Sequence, residues 1–156
     1  MIFFRLIFDD VKMKLILYSA DLSHDLELAF ADQGIRAGFP SPAQDYMESI
    51  DLNRELVRHP ATTFYARAVG ESMKDCGIDD GDLLVIDKGI EPQDGDIVVA
   101  YIDGEFTLKK VRFEKGRNCL WLVPANEEYQ PIKVTEENDF IIWGVLVYNI
   151  KRQLRR

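Results

Sequence analysis

The dipeptide Asp103-Gly104 constrains the fold more than any other feature of this 156-residue chain. It stands between two runs that read as strands, Ile97 to Ile102 and Glu105 to Phe113. A tight two-residue hairpin loop needs positive φ at both central residues, and Asp followed by Gly accepts that conformation. The pair therefore predicts an antiparallel hairpin with long arms. Two further turns, Asp80-Gly81-Asp82 and Asp94-Gly95-Asp96, each precede an aliphatic run, Leu83 to Ile86 and Ile97 to Ile102. The motif is repeated once, so it marks two turn–strand units rather than a solenoid.

The rest of the chain is read in the same way. Met13 to Tyr18, Thr63 to Val69, Cys119 to Val123, Ile132 to Val134 and Phe140 to Tyr148 have strand character, and the last is apolar enough to be buried. Helical spacing occurs in two places. Leu22, Leu26 and Phe30 predict one or two helical turns over Asp21 to Phe30, capped by Asp21 or Ser23. Leu52 and Leu56 predict a short helix over Asp51 to Val57. The expected fold is mainly β: a compact, curled antiparallel sheet with one or two short helices. The length is that of about one domain, enough to bury a core. An apolar share of 47% and a charged share of 29% are those of a soluble globular protein.

Charge and cysteine usage exclude several functions. A net charge of −8 argues against non-specific nucleic-acid binding, which needs clustered Lys and Arg. The one dense basic run, Lys151-Arg152-Gln153-Leu154-Arg155-Arg156, reads as a solvated C-terminus. Cys76 and Cys119 do not make a disulfide framework, so a reducing compartment is expected. His24 and His59 lack metal-site spacing, and His59 precedes Pro60, which places it at a turn. Neither a metal nor a cofactor is expected. The apolar start, Met1 to Phe8, ends at Asp9-Asp10 and is too short to span a bilayer. It also lacks the pattern of a signal peptide. Met13 is an alternative start, with residues 1–12 then an upstream extension.

One constellation carries chemistry. Gly70-Glu71-Ser72-Met73 is followed by Lys109, and Ala37-Gly38 lies upstream of both. A serine hydroxyl is a poor nucleophile unless a base takes its proton. A lysine can be that base only if burial lowers its pKa from ~10.4. Pro40 and Pro42 remove two backbone donors, so the segment from Ala31 to Pro42 should be extended and a poor fit for a sheet interior. Extended backbone is what a protease binds; an ordinary linker would look the same. Strand alternation puts Lys109 with Thr107, Val111 and Phe113, and Lys110 with Phe106, Leu108 and Arg112. Periodicity alone leaves open which lysine faces the serine.

These motifs, in this order, closely resemble the UmuD family, the self-cleaving accessory subunits of SOS-mutagenesis DNA polymerases. The resemblance rests on Gly38-Phe39-Pro40-Ser41-Pro42-Ala43, Asp51-Leu52-Asn53 and His59-Pro60-Ala61-Thr62. Gly70-Glu71-Ser72-Met73, Asp80-Gly81-Asp82-Leu83-Leu84 and Glu105-Phe106-Thr107-Leu108-Lys109-Lys110 fit it too, and also fit LexA-like repressors. It runs from about Gly34 to Ile150 and leaves residues 1–33 unmatched. It implies a LexA- or signal-peptidase-like catalytic domain with Ser72 as nucleophile and Lys109 as general base. It implies cleavage at Ala37-Gly38, with backbone N–H groups of Glu71 and Ser72 as the oxyanion donors. The same resemblance implies a regulatory N-terminal arm over residues 1–37 and a peptidase and dimerisation domain over 38–156. Expected partners are a second copy of the chain, the RecA filament on single-stranded DNA, and a Y-family polymerase of the UmuC type. Neither a membrane nor sequence-specific DNA is an expected partner, and the expected location is the bacterial cytoplasm.

Three rivals share parts of this pattern. A LexA-like or phage-type repressor needs a DNA-binding domain ahead of the cut, and the 37 residues before Gly38 show no helix-turn-helix. A signal-peptidase relative needs a membrane anchor. A binding module of the same fold would keep Ser72 and Lys109 without cutting.

Overall fold

The computed structural model describes residues 16–20, 22–23, 27–31, 47–117, 119–154 and 156. The Ala37-Gly38 bond, Pro40, Pro42 and residues 1–12 lie outside them, as does most of the 1–37 arm. The strands are β1 (Ile16–Ser19), β2 (Glu27–Ala31), β3 (Met47–Asp51), β4 (Thr63–Arg67), β5 (Leu83–Asp87), β6 (Ile97–Ile102), β7 (Glu105–Phe113), β8 (Leu120–Val123), β9 (Ile132–Val134) and β10 (Phe140–Ile150). One short helix, α1 (Leu52–Leu56), and a 3-10 turn at Lys74–Cys76 complete the described elements. Eight strands form one antiparallel sheet in the order β1-β4-β5-β10-β6-β7-β8-β9. The fold is mainly β, as the turn chemistry required.

The hairpin at its centre forms as expected. Asp103 has φ +48 and Gly104 φ +93, and β6 pairs with β7 from Ile97↔Lys110 to Ile102↔Glu105. Gly81 and Gly95, in the two Asp-Gly-Asp turns, also take positive φ. Along β6 the side chains divide between two cores. Val99 joins Ala66, Ala68, Met73, Ile78, Leu84, Ile86 and Leu108, whereas Val98, Ala100 and Ile102 join Val111, Leu122, Val134 and Val145. Successive residues of a strand face opposite ways, so a sheet packed on both faces needs a continuous apolar run. The unbroken Ile97–Ile102 run meets that requirement.

The described part of the segment expected to be helical, Glu27 to Phe30, departs from the sequence reading, and Asp21 and Leu26 lie outside the described residues. Glu27–Ala31 forms no helix; β2 pairs with β3 in a separate antiparallel ladder, from Glu27↔Asp51 to Ala31↔Met47. Leu26, Leu28 and Phe30 also repeat every second residue, which suits a strand as well as the i, i+4 spacing suits a helix. Two isolated helical turns form few hydrogen bonds for a costly nucleus. Pairing with β3 satisfies the same backbone groups. The helix at Leu52–Leu56 is present, and Asp51 caps it by accepting from the Asn53 N–H at 2.9 Å.

Two hydrogen-bonded polar clusters anchor loops to the sheet. His59, at a turn as expected, pairs through Nδ1 with Asp87 Oδ2 at 2.5 Å, and the Thr62 hydroxyl donates to Asp87 Oδ1 at 2.7 Å. Lys151 is no solvated tail residue. Its ammonium donates to Asp79 at 2.6 Å and to buried Asp82 at 2.8 Å. Cys76 and Cys119 are free thiols. Among the described residues no helix is long and apolar enough to cross a membrane.

Strand β10 holds the sheet together, pairing with β5 on one side and β6 on the other. Its register shifts twice, between Ile142 and Gly144 and between Leu146 and Tyr148. An extra residue on one strand raises the local twist and bends the sheet, which gives the curl. Gly144 sits at the first shift, where a Cβ would lie 2.6 Å from Ile86 Cγ2 and 3.3 Å from the Asp87 carbonyl oxygen. Gly144→Ala should therefore overpack the junction and lower stability by about 1–3 kcal/mol. Urea unfolding measures this, and an unchanged midpoint would mean that β10 can shift to make room.

Candidate active site

Ser72 lies just beyond β4, in a loop held at both ends. Ala68 N–H donates to the Asp82 carbonyl at 2.9 Å and Gly81 N–H to the Ala68 carbonyl at 2.7 Å. Gly70, at φ +95, turns the chain, and its N–H donates to Asp80 Oδ1 at 2.7 Å. This conformation is the one glycine adopts without steric penalty. After Ser72 the 3-10 turn closes with Cys76 N–H on the Met73 carbonyl and Gly77 N–H on the Lys74 carbonyl. Met73 and Ile78 are fully buried in the same cluster as Leu84, Ile86 and Leu108. The two apolar anchors fix the turn against the sheet and leave Ser72 itself 2% exposed.

Lys109 comes from β7 and is 5% exposed. Its Nζ lies 3.2 Å from Ser72 Oγ, 2.7 Å from Thr107 Oγ1 and 3.0 Å from the Leu108 carbonyl oxygen. An ammonium has three N–H donors, and these three acceptors match them. Thr107 stands two residues before Lys109 and so shares its face of β7. Burial removes the ammonium from water and pulls its pKa down to about 8. Among the described residues no carboxylate pairs with it to oppose that shift. The amine therefore becomes neutral within reach of physiological pH, and its lone pair can then accept the Ser72 hydroxyl proton. Lys110, next along the strand, makes no hydrogen bond to Ser72.

Two polar residues escaped the sequence reading. Strand alternation places Thr107 on the face of Lys109 without assigning it a role, and it supplies the shortest of the three contacts to Nζ. Asn126 lies in the loop after β8, 5% exposed, and its Nδ2 donates to the Glu71 carbonyl at 2.9 Å. The sequence signal for Thr107 is its i, i+2 spacing to the lysine. Asn126 had no local signal, since it comes 55 residues after Glu71. Glu71 and Ser72 N–H groups, the expected oxyanion donors, meet no acceptor among the described residues. Ala37 and Gly38 lie outside the described residues. Among those described, no group of three His, Cys, Asp or Glu could hold a metal.

The peptidase S24-like family model matches residues 30–147, most of the chain and all of this site. The chain belongs to the S24-like peptidase family. Protein SamA of Salmonella typhimurium is 50% identical over 111 residues, 70% of this chain and 75% of that protein. Protein MucA of Escherichia coli is 39% identical over 137 residues, 86% of this chain and 92% of that one. The LexA repressor of Ectopseudomonas mendocina is 40% identical over 119 residues, 76% of this chain but 57% of the repressor. The UmuD-type resemblance read from the motifs agrees with these relatives.

For this S24-like peptidase the buried lysine has a thermodynamic signature. Well below pH 8 Lys109 is almost wholly protonated in both the folded and the unfolded chain. Between about 8 and ~10.4 the unfolded chain holds the extra proton, so stability rises with pH in that window. The difference corresponds to about 3 kcal/mol of burial penalty at neutral pH. Lys109→Met, which keeps the stem but loses the charge and the three Nζ hydrogen bonds, should gain about 3 kcal/mol relative to wild type on going from pH 10.5 to pH 7. Denaturant unfolding at the two pH values tests this. A difference from wild type that stays constant would mean Lys109 is not held with a depressed pKa.

Proposed function

We propose that this chain is a self-cleaving serine endopeptidase in which Ser72 is the nucleophile and Lys109 the general base. The observation that carries the reading is the 3.2 Å approach of Lys109 Nζ to Ser72 Oγ in a site where burial alone lowers the amine to about 8. Neutral Lys109 takes the Ser72 proton, and Oγ bonds to the Ala37 carbonyl carbon. The resulting oxyanion is met by the N–H groups of Glu71 and Ser72, and each such donor supplies ~3–4 kcal/mol of transition-state stabilisation. The C–N bond to Gly38 then breaks, and Lys109 returns its proton to the leaving nitrogen. Water hydrolyses the ester, which frees the Ala37 carboxylate and restores Ser72. The tethered substrate acts at an effective concentration set by its linker, so no deep pocket is needed.

Residues 1–37 act in this reading as a regulatory arm and 38–156 as the processed peptidase and dimerisation domain. The processed chain is a cytoplasmic bacterial homodimer that serves as accessory subunit of a Y-family translesion polymerase of the UmuC type. The RecA filament on single-stranded DNA stimulates the cut during the SOS response. The UmuD-type motifs and the 50% identity to SamA support this reading over a LexA-like repressor.

At pH 7 about one Lys109 in ten is neutral for a value of about 8, so the cleavage rate should climb roughly tenfold to a plateau above pH 9. Intact-mass time courses of wild type and Ser72→Ala from pH 7 to 10 test this. They should be repeated at pH 7 with RecA, ATP and single-stranded DNA. Wild type alone should release a fragment beginning at Gly38, fastest at high pH or with RecA. A rate that is flat with pH removes Lys109 as the titrating base. No fragment under any condition leaves a non-cutting binding module.

A further inference from the structure

We propose that Asn126 is a positioning residue for self-cleavage, acting by fixing the Glu71–Ser72 peptide so that the Ser72 N–H faces the developing oxyanion. The inference rests on the peptidase reading above and assigns a role to a side chain outside the Ser72–Lys109 pair. A peptide unit is planar and trans, so its C=O and N–H point in opposite directions. Whatever pins the Glu71 carbonyl therefore aims the Ser72 N–H. Asn126 Nδ2 donates to that carbonyl at 2.9 Å. Among the described residues one backbone donor reaches the same oxygen, Lys74 N–H, and it is longer at 3.2 Å.

Asn126 is itself held rigidly. Its Oδ1 accepts from the Glu128 N–H at 3.0 Å, and its carbonyl accepts from the Tyr129 N–H at 3.1 Å. The preceding residue grips the same turn twice: Ala125 N–H donates to the Ser72 carbonyl and Asp75 N–H to the Ala125 carbonyl, both at 2.8 Å. These two backbone bonds do not involve the Asn126 side chain, and neither does the Lys74 bond. The turn should therefore persist when that side chain is shortened, while the tilt of one peptide plane loses its tighter restraint. Oxyanion donors are sensitive to such tilt, since they act only at close distance and good alignment. Among the described residues Asn126 makes no hydrogen bond to Lys109, so the base should titrate as before.

The test is the pH–rate profile of self-cleavage in Asn126→Ala and Asn126→Asp, alongside wild type and thermal unfolding of each. Asn126→Asp keeps an acceptor for the Glu128 N–H but has no donor for the Glu71 carbonyl, so it serves if Asn126→Ala fails to fold. The plateau rate above pH 9 should fall ten- to hundredfold in both variants. In Asn126→Ala the midpoint should stay near 8, at a temperature where the variant is folded. A plateau within twofold of wild type in either folded variant overturns the proposal. So does a loss in Asn126→Ala that is wholly a shift of midpoint, because the residue would then act on Lys109. Failure of the underlying peptidase reading would look different: wild type itself would not cut.

Discussion

An amine buried without a counter-ion is the interaction on which this structure turns. Lys109 is 5% exposed, and among the described residues its hydrogen-bond partners are two hydroxyls and a carbonyl. In most proteins a carboxylate would be recruited to such a position, and the lysine would stay charged and chemically inert. Here the absence of any pairing carboxylate among the described residues keeps the charged form unfavourable. The fold carries a stability penalty at neutral pH at this position, and in the proposed mechanism that same penalty is what makes the amine available as a base.

That penalty has to be offset by packing, and the two-faced sheet offsets it. β6 and β7 contribute side chains to both apolar clusters, and Lys109, on β7 between Leu108 and Val111 of those clusters, is buried with them. The same packing holds the serine. Met73 and Ile78 enter the core on either side of the 3-10 turn, and a turn with two buried anchors has little freedom to drift. Geometry of the kind catalysis needs is thus derived from ordinary hydrophobic burial, with a few hydrogen bonds setting the last degrees of orientation.

How much of this was legible in the sequence depends on how local each signal is. The Asp103-Gly104 hairpin and the β6, β7 and β9 runs were read to the residue, because turn chemistry and β-branched runs act over a few positions. The strand at Glu27–Ala31 was misread as helix, because Leu22, Leu26 and Phe30 fit one period while Leu26, Leu28 and Phe30 fit the other. Only pairing with β3, some twenty residues away, decides between them. At the site, Ser72 and Lys109 could be named from motifs, but alternation left Lys109 and Lys110 equal. The approach of Asn126 to Glu71 spans more than fifty positions and depends on how β8 ends, which no local pattern encodes. Lys151 was lost the same way: its acid partners lie some seventy residues earlier.

The place of β10 in the sheet has a consequence for the life of the chain. Ser72 belongs to the half built from β4 and β5, and Lys109 to the half built from β6 to β9. The strand that stitches the halves together is the last of those described to leave the ribosome. A nascent chain lacks the seam that brings hydroxyl and amine into register, however long it waits. In the proposed reading the Ser72–Lys109 pair can therefore be assembled only after β10 has been made and has joined β5 to β6.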